Sequence, residues 1–154
     1  MVTVLHRPNK KCEILNIEAG LWSAPEIADR IVSIHQRFNS TVFVENNAAQ
    51  NFILQIVQSL GERVPVKAFS TGRNKHDPVY GVESLAVEMS TNQWVIPSTD
   101  GTRLGCHMEI RRLIEEMIVF APNKHTGDRL MAMWIAREAG RIKGPGKAQV
   151  GRFR

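Results

Sequence analysis

The feature that most constrains the fold is a compact apolar segment at residues 41–44, which stands between two amphipathic segments. The segment before it carries apolar residues at helical spacing, which form one stripe along a predicted helix: Ile27, Ile31, Ile34 and Phe38. After it, the pattern predicts a second helix over residues 48–60 and a strand over residues 64–69. Strands that alternate with amphipathic helices are typical of an α/β fold, in which helices flank a mixed sheet.

The rest of the chain continues this alternation. Residues 2–6 and 12–17 are apolar segments around a turn-like stretch, and they predict a β-hairpin. Ser23 and Glu26 have the spacing of a capping box, which marks the start of the first helix. Further predicted elements are a helix over residues 80–89, a short extended segment at 94–96, and helices over 104–120 and 128–142.

The length and the cysteine content limit the class of protein. A chain of 154 residues is sufficient for one domain with a hydrophobic core. Cys12 and Cys106 lie far apart without a CxxC or CxxH partner, which argues against a disulfide scaffold and against a zinc site. Neither a membrane span nor a signal peptide is recognisable, so we expect no membrane partner and a cytoplasmic location.

The positive charge is concentrated at one end of the chain. The net charge is +5, and residues 137–154 hold six basic residues against one acidic residue, which accounts for all of it. The sequence Lys143-Gly-Pro-Gly-Lys147 interrupts any helix, so residues 143–154 are predicted to form a basic flexible tail. Lys143 and Lys147 are therefore candidate contacts to nucleic acid, with a solvated terminus as the alternative.

Two acidic residues stand at positions where α/β folds often place functional groups. Glu45 directly follows the apolar strand, and ligands of open α/β sheets bind outside the carboxyl ends of strands. Asp128 opens the last predicted helix. Each position has an ordinary explanation as well, because a helix N-terminus favours an acid without any function. Arg73 and Lys75 lie in the polar loop after the third strand, where they are either ligand contacts or solvated charges.

Four segments, in this order along the chain, together resemble the C-terminal nuclease domain of phage large terminase subunits, the motors that package DNA. They are Gly20-Leu-Trp-Ser-Ala-Pro-Glu-Ile27, Val42-Phe-Val-Glu-Asn-Asn-Ala-Ala-Gln50, Phe69-Ser-Thr-Gly-Arg-Asn-Lys75 and His125-Thr-Gly-Asp-Arg-Leu-Met-Ala132. The resemblance covers residues 2–142, and it implies a ribonuclease H-like domain over residues 1–142, a fold that Holliday-junction resolvases share.

The resemblance also implies roles for individual residues. It assigns Glu45 and Asp128 as catalytic carboxylates that bind two divalent metal ions, Mg²⁺ or Mn²⁺, and it assigns Lys75 a place near the DNA. Carboxylate oxygens suit these ions, and a pair of such ions catalyses phosphodiester hydrolysis. The implied partners are double-stranded DNA, the terminase ATPase domain, the portal and the small terminase subunit.

The chain departs from the family in one respect. The family begins with an additional strand, central in its sheet, whose aspartate bridges both metals, whereas this sequence starts in what resembles the second strand. We therefore expect a sheet that is incomplete at its N-terminal side. The chain would then be a fragment of a larger protein, or be completed by a strand from a partner, or have low stability alone. Glu18, Asp77 and Asp100 are alternative acids, and nothing in the sequence favours one of them.

These observations leave three functions open. The first is a two-metal DNA endonuclease that cuts concatemeric DNA during genome packaging. The second is a catalytically impaired DNA-binding or assembly fragment of the terminase. The third is a resolvase-like nuclease that acts on four-way junctions.

Overall fold

The computed structural model describes residues 1–45, 50–59, 63–71, 81–122, 124–142 and 150–153. Within these ranges the chain forms strands and helices in mixed order. They are β1 (Val2–His6), β2 (Cys12–Ile17), α1 (Ala24–Phe38), β3 (Thr41–Glu45), α2 (Gln50–Ser59), β4 (Val66–Phe69), α3 (Ser84–Ser90), β5 (Trp94–Val95), α4 (Met108–Ile118), α5 (Asp128–Ile142) and β6 (Val150–Phe153). No helix in this part of the chain is long and apolar enough to cross a membrane.

The strands form one mixed sheet in the order β4-β3-β6-β1-β2-β5. The pairs β1–β2 and β1–β6 are antiparallel, and the pairs β2–β5, β3–β4 and β3–β6 are parallel. The predicted hairpin, with β1 and β2 at residues 2–6 and 12–17, is confirmed, and so is the mixed α/β architecture.

Helices cover both faces of this sheet, and strand β3 shows how the sequence divides its residues between them. Phe43 belongs to the larger apolar cluster, which includes α4 and α5 and has Leu113 and Trp134 among its fully buried members. Val42 and Val44 belong to the smaller cluster beneath α1 and α2. This alternation follows from the two-residue period of a strand, and it defines an α5 face and an α1 face of the sheet.

The C-terminal strand is a correction to the sequence analysis. Residues 150–153 were expected within a flexible tail, but they form β6 between β1 and β3, in the middle of the sheet. The sheet expected to lack its central strand therefore has one in that position. The preceding residues 143–149, with Lys143 and Lys147, lie outside the described residues.

Helix boundaries differ from the predictions where local hydrogen bonds compete with the helix. Helix α1 begins at Ala24, where Glu26 Oε2 accepts hydrogen bonds of 2.7 Å from the Ser23 backbone and hydroxyl groups. The expected helix over 104–120 begins only at Met108. Asp100 Oδ1 accepts hydrogen bonds from the Thr102 backbone and hydroxyl groups at 2.8 Å, which holds the preceding residues in a loop.

A buried ion pair joins α3 to α5. Arg137 is 1% exposed, and it donates hydrogen bonds to Glu88 Oε1 at 3.1 Å and to Ser84 Oγ at 2.7 Å. The other oxygen of Glu88 accepts a hydrogen bond of 2.9 Å from the Trp94 indole. Burial lowers the pKa of Arg137. Arg137 also donates a hydrogen bond to the carbonyl oxygen of Gly81, at 3.1 Å. These contacts fix α5 to α3 and to the residues just before it.

Candidate metal and nucleic-acid site

Glu45 is the last residue of β3, and it is exposed at the carboxyl end of the strand. Its Oε1 accepts a hydrogen bond of 2.7 Å from the hydroxyl group of Thr71, which follows the end of β4. Thr71 immediately precedes the segment that carries Arg73 and Lys75, and these two candidate DNA contacts lie outside the described residues. The hydrogen bond therefore connects the candidate carboxylate to the start of the predicted DNA-binding loop.

The register of the sheet defines the face on which Glu45 lies. Glu45 pairs with Phe69 of the parallel strand β4, so the two residues share a face. The ring of Phe69 meets the ring of Trp134 edge to face, with 5.8 Å between ring centres. Because Trp134 belongs to α5, Glu45 lies on the α5 face of the sheet.

Asp128 is the first residue of α5 and is exposed. The first turn of α5 is held from α4, since Glu116 Oε2 accepts a hydrogen bond of 2.8 Å from the backbone N–H of Leu130. Arg129 donates to Glu116 at 2.9 Å and to Glu109 at 2.6 Å and 2.8 Å. These contacts from α4 supply the N-terminal cap of α5 and fix the backbone beside Asp128.

The direction of α5 brings its first residue toward the edge where Glu45 lies. Strand β1 runs opposite to β3, so His6 at its end lies at the far edge of the sheet from Glu45. His6 Nε2 is 3.0 Å from the carbonyl oxygen of Ala136, which fixes this part of α5 toward the far edge. Asp128 precedes Ala136 by about 12 Å of helix, beyond the level at which Trp134 meets Phe69.

The alternative acids do not join this pair in the described structure. Glu18 points to the α1 face, where its carboxylate accepts hydrogen bonds from Arg30 at 2.7 Å and from Asn16 at 3.0 Å. Asp100 follows β5, which lies four strand positions from β3, or about 19 Å across the sheet. Asp77 lies outside the described residues.

Lys67 is a cationic residue that the sequence analysis did not select. It lies in β4 two residues before Phe69, so strand alternation puts it on the same face as Glu45. It is exposed on the edge strand of the sheet. Its only sequence signal is a lysine within a short apolar strand, which is also a common device for protecting an edge strand from pairing.

The buried Cys12 and the partly buried His6 form a second polar contact, at the opposite edge. Cys12 Sγ lies 3.5 Å from His6 Nδ1, while the other ring nitrogen of His6 is close to Ala136. Burial raises the pKa of Cys12 to about 12 and lowers the pKa of His6. Since a thiolate is the reactive form of cysteine, this pair is a packing contact rather than a nucleophile with its base.

The donor set at the Glu45 edge is suited to a hard divalent cation, since both candidate ligands are exposed carboxylates. Among the described residues there is no group of three or more His, Cys, Asp and Glu side chains that could hold a metal ion. Glu45 and Asp128 are both exposed in the described structure, whereas Glu109 and Glu116 of α4 are engaged by Arg129 and by the Leu130 backbone.

Comparisons of this chain with protein-family models, with curated proteins and with solved structures found no match.

Proposed function

We propose that this chain is a metal-dependent DNA endonuclease domain with a ribonuclease H-like fold, related to the nuclease domain of phage large terminase subunits. The observation that supports the proposal is that Glu45 lies on the face of the sheet covered by α5, the helix whose first residue is Asp128. The two residues are 83 positions apart in the sequence, and a two-metal site would need their carboxylates to act together.

In this proposal Glu45 and Asp128 would hold Mg²⁺ or Mn²⁺ through their carboxylate oxygens. Such ions, when bound, supply an activated water and stabilise the leaving oxygen of a phosphodiester. The chain's own residues orient the site: Thr71 holds Glu45 through its hydroxyl group, and Glu116 caps the helix that begins with Asp128. By the resemblance, the ATPase domain, the portal and the small subunit of a terminase would be its partners in genome packaging.

Basic side chains on this side of the molecule would bind the phosphates of double-stranded DNA. Lys67 lies on the same face as Glu45, and Arg73 and Lys75 follow Thr71 in the sequence. Positive charge beside a metal site attracts the polyanionic substrate and releases its counterions, so binding would weaken as salt rises. Lys143 and Lys147 remain candidates for the same role from the C-terminal side.

The test is the conversion of supercoiled plasmid to nicked circles in the presence of Mn²⁺. We expect Glu45→Gln and Asp128→Asn to reduce nicking by roughly 10-fold to 100-fold, because each removes one metal ligand. Asp29→Asn is the matched control, since Asp29 is an exposed carboxylate of α1, which covers the other face. If Asp29→Asn reduced nicking as strongly as Glu45→Gln and Asp128→Asn do, the proposed assignment of the metal ligands would be wrong.

A second function is favoured by one specific observation. Strand β6 occupies the middle of the sheet, and its sequence Val-Gly-Arg-Phe contains no carboxylate. A chain with two metal ligands and no central one would bind duplex DNA without cutting it. This alternative predicts salt-sensitive binding of duplex DNA, no nicking, and no effect of Glu45→Gln on binding.

The same substrates separate a resolvase-like activity from the terminase-like one. A resolvase-like enzyme would cleave a synthetic four-way junction in preference to a linear duplex of the same sequence. We expect the terminase-like activity to show no such preference when the two substrates compete in one reaction.

A further inference from the structure

Strand β6 is held in the sheet by its backbone on both sides. It pairs antiparallel with residues 2–5 of β1 and parallel with residues 41–43 of β3. Because β1 and β3 run in opposite directions and are not neighbours, β6 is the strand that joins the two halves of the sheet. We call the space between β1 and β3 the central slot.

The walls of the central slot are among the most buried parts of the chain. Val2, Val4 and Thr3 of β1 are at most 1% exposed, and Val42 and Phe43 of β3 are 0% and 5% exposed. An empty slot would leave backbone N–H and C=O groups unpaired between these residues, away from water. The slot therefore favours any extended segment that satisfies those groups, with little dependence on its side chains.

The connection from α5 makes the chain's own C-terminal segment a suitable occupant. Ala136 lies beside His6, and a Cβ atom at Gly140 would overlap the His6 ring, so the end of α5 lies close to the end of β1. Val150 enters the slot opposite Leu5, the residue before His6. The seven residues 143–149 span up to about 23 Å when extended, so they bridge these neighbouring positions easily.

We propose that the central slot is a strand-binding site whose ligand is the chain's own residues 150–153. The same site binds this segment from a second molecule whenever the resident strand cannot pair. Recognition is by backbone hydrogen bonding between β1 and β3, and the occupant is the extended C-terminal segment because that segment pairs with both walls in the fold. This proposal is independent of the proposed nuclease activity, and its readouts are binding and amide protection.

The test compares the full-length wild-type chain with its Gly151→Pro variant. Proline removes a backbone donor from the centre of β6 and is not tolerated in an interior strand. A fluorescein-labelled peptide of residues 143–154 is titrated against each protein, and its anisotropy is recorded. We expect the variant to bind the peptide roughly 100-fold more tightly than wild type does, because the tethered strand competes at a millimolar effective concentration.

The peptide that carries the same Gly151→Pro change is the matched control, and we expect it to bind neither protein. If the variant is folded, with the helical circular dichroism of wild type, and still captures the unmodified peptide no better than wild type does, the proposal is wrong. That result would mean that β1 and β3 close the slot themselves.

Amide hydrogen exchange of the wild-type chain decides the question if the variant does not fold. The proposal requires the amides of residues 150–153 to be protected to the same degree as those of β1, because both strands would open together. Exchange of residues 150–153 at the rate of a free peptide, with β1 protected, would overturn it.

Discussion

The hydroxyl group of Thr71 donates a hydrogen bond of 2.7 Å to Glu45 Oε1 and so joins the loop after β4 to the end of β3. The two strands are parallel neighbours, and Glu45 pairs with Phe69, two residues before Thr71. The bond engages one of the two carboxylate oxygens of Glu45, and among the described residues no hydrogen bond to the other is seen. Thr71 is thus a positioning residue for the carboxylate on which the proposed metal site depends.

Thr71→Val should reduce Mn²⁺-dependent nicking several-fold without a comparable loss of stability. Valine keeps the shape of threonine but cannot hold the carboxylate, so Glu45 would sample other rotamers. Because the contact is exposed, the free energy of unfolding should change by less than about 0.5 kcal/mol. Thr71→Ser retains the hydroxyl group and should nick at close to the wild-type rate, and a defect in Thr71→Ser equal to that of Thr71→Val would rule out this role.

Glu116→Ala should destabilise the fold by about 2 kcal/mol, measured by urea unfolding. The change removes both the acceptor for the Leu130 N–H and a partner of Arg129, in a contact that is largely shielded from water. Glu115→Ala is the matched control, one position earlier in α4. Its partner Arg103 is half exposed, so we expect a loss below about 1 kcal/mol. Equal losses in the two variants would show that Glu116 is not a cap.

Sequence patterns could predict those elements whose ends carry local signals. Helix α1 has its capping residues at Ser23 and Glu26, and α5 begins at the predicted Asp128. Glu45 could be named as a candidate because it follows an apolar strand, but its proposed role came from the resemblance and not from that position alone. For α1 the deciding interactions lie within a few residues of one another, so a single sequence is enough, whereas the contacts that cap α5 come from Glu116 of α4.

The parts that could not be predicted depend on residues distant in the chain. Strand β6 contains a glycine and an arginine within four residues, and only the space between β1 and β3 makes it a strand. The hydrogen bond from Thr71 to Glu45 depends on the register of β3 against β4. The late start of α4 depends on the hydrogen bonds to Asp100, which no periodicity of apolar residues reveals.

Glu88→Gln should cost about 3 kcal/mol of stability, because it leaves the charge of the buried Arg137 without its carboxylate partner in α3. Glu83→Gln is the matched control, since Glu83 is an exposed glutamate beside the same helix. Its effect should stay within about 0.5 kcal/mol. Chemical denaturation followed by circular dichroism measures both variants, and similar midpoints for the two would show that the ion pair has no net stabilising role.

The partly buried His6 should make the protein less stable as the pH falls through the neutral range. Burial holds the pKa of His6 below its usual value, whereas in the unfolded chain the same residue takes up a proton near pH 6.5. Between these two pKa values the unfolded state binds more protons than the folded state, so the free energy of unfolding decreases as pH decreases. Above the pKa that His6 has in the unfolded chain, its contribution to stability is complete. As the pH falls below that pKa, the free energy of unfolding decreases by up to about 1.4 kcal/mol per pH unit.

The His6→Gln variant isolates this contribution, because it removes the titrating ring and leaves every other group in place. Unfolding free energies of the two proteins, measured from about pH 7.5 to about pH 5.5, should converge as the pH falls. The convergence reflects the greater proton uptake of the unfolded wild-type chain, since burial in the fold lowers the pKa of His6. Curves that remain parallel across this range would mean that His6 titrates equally in both states.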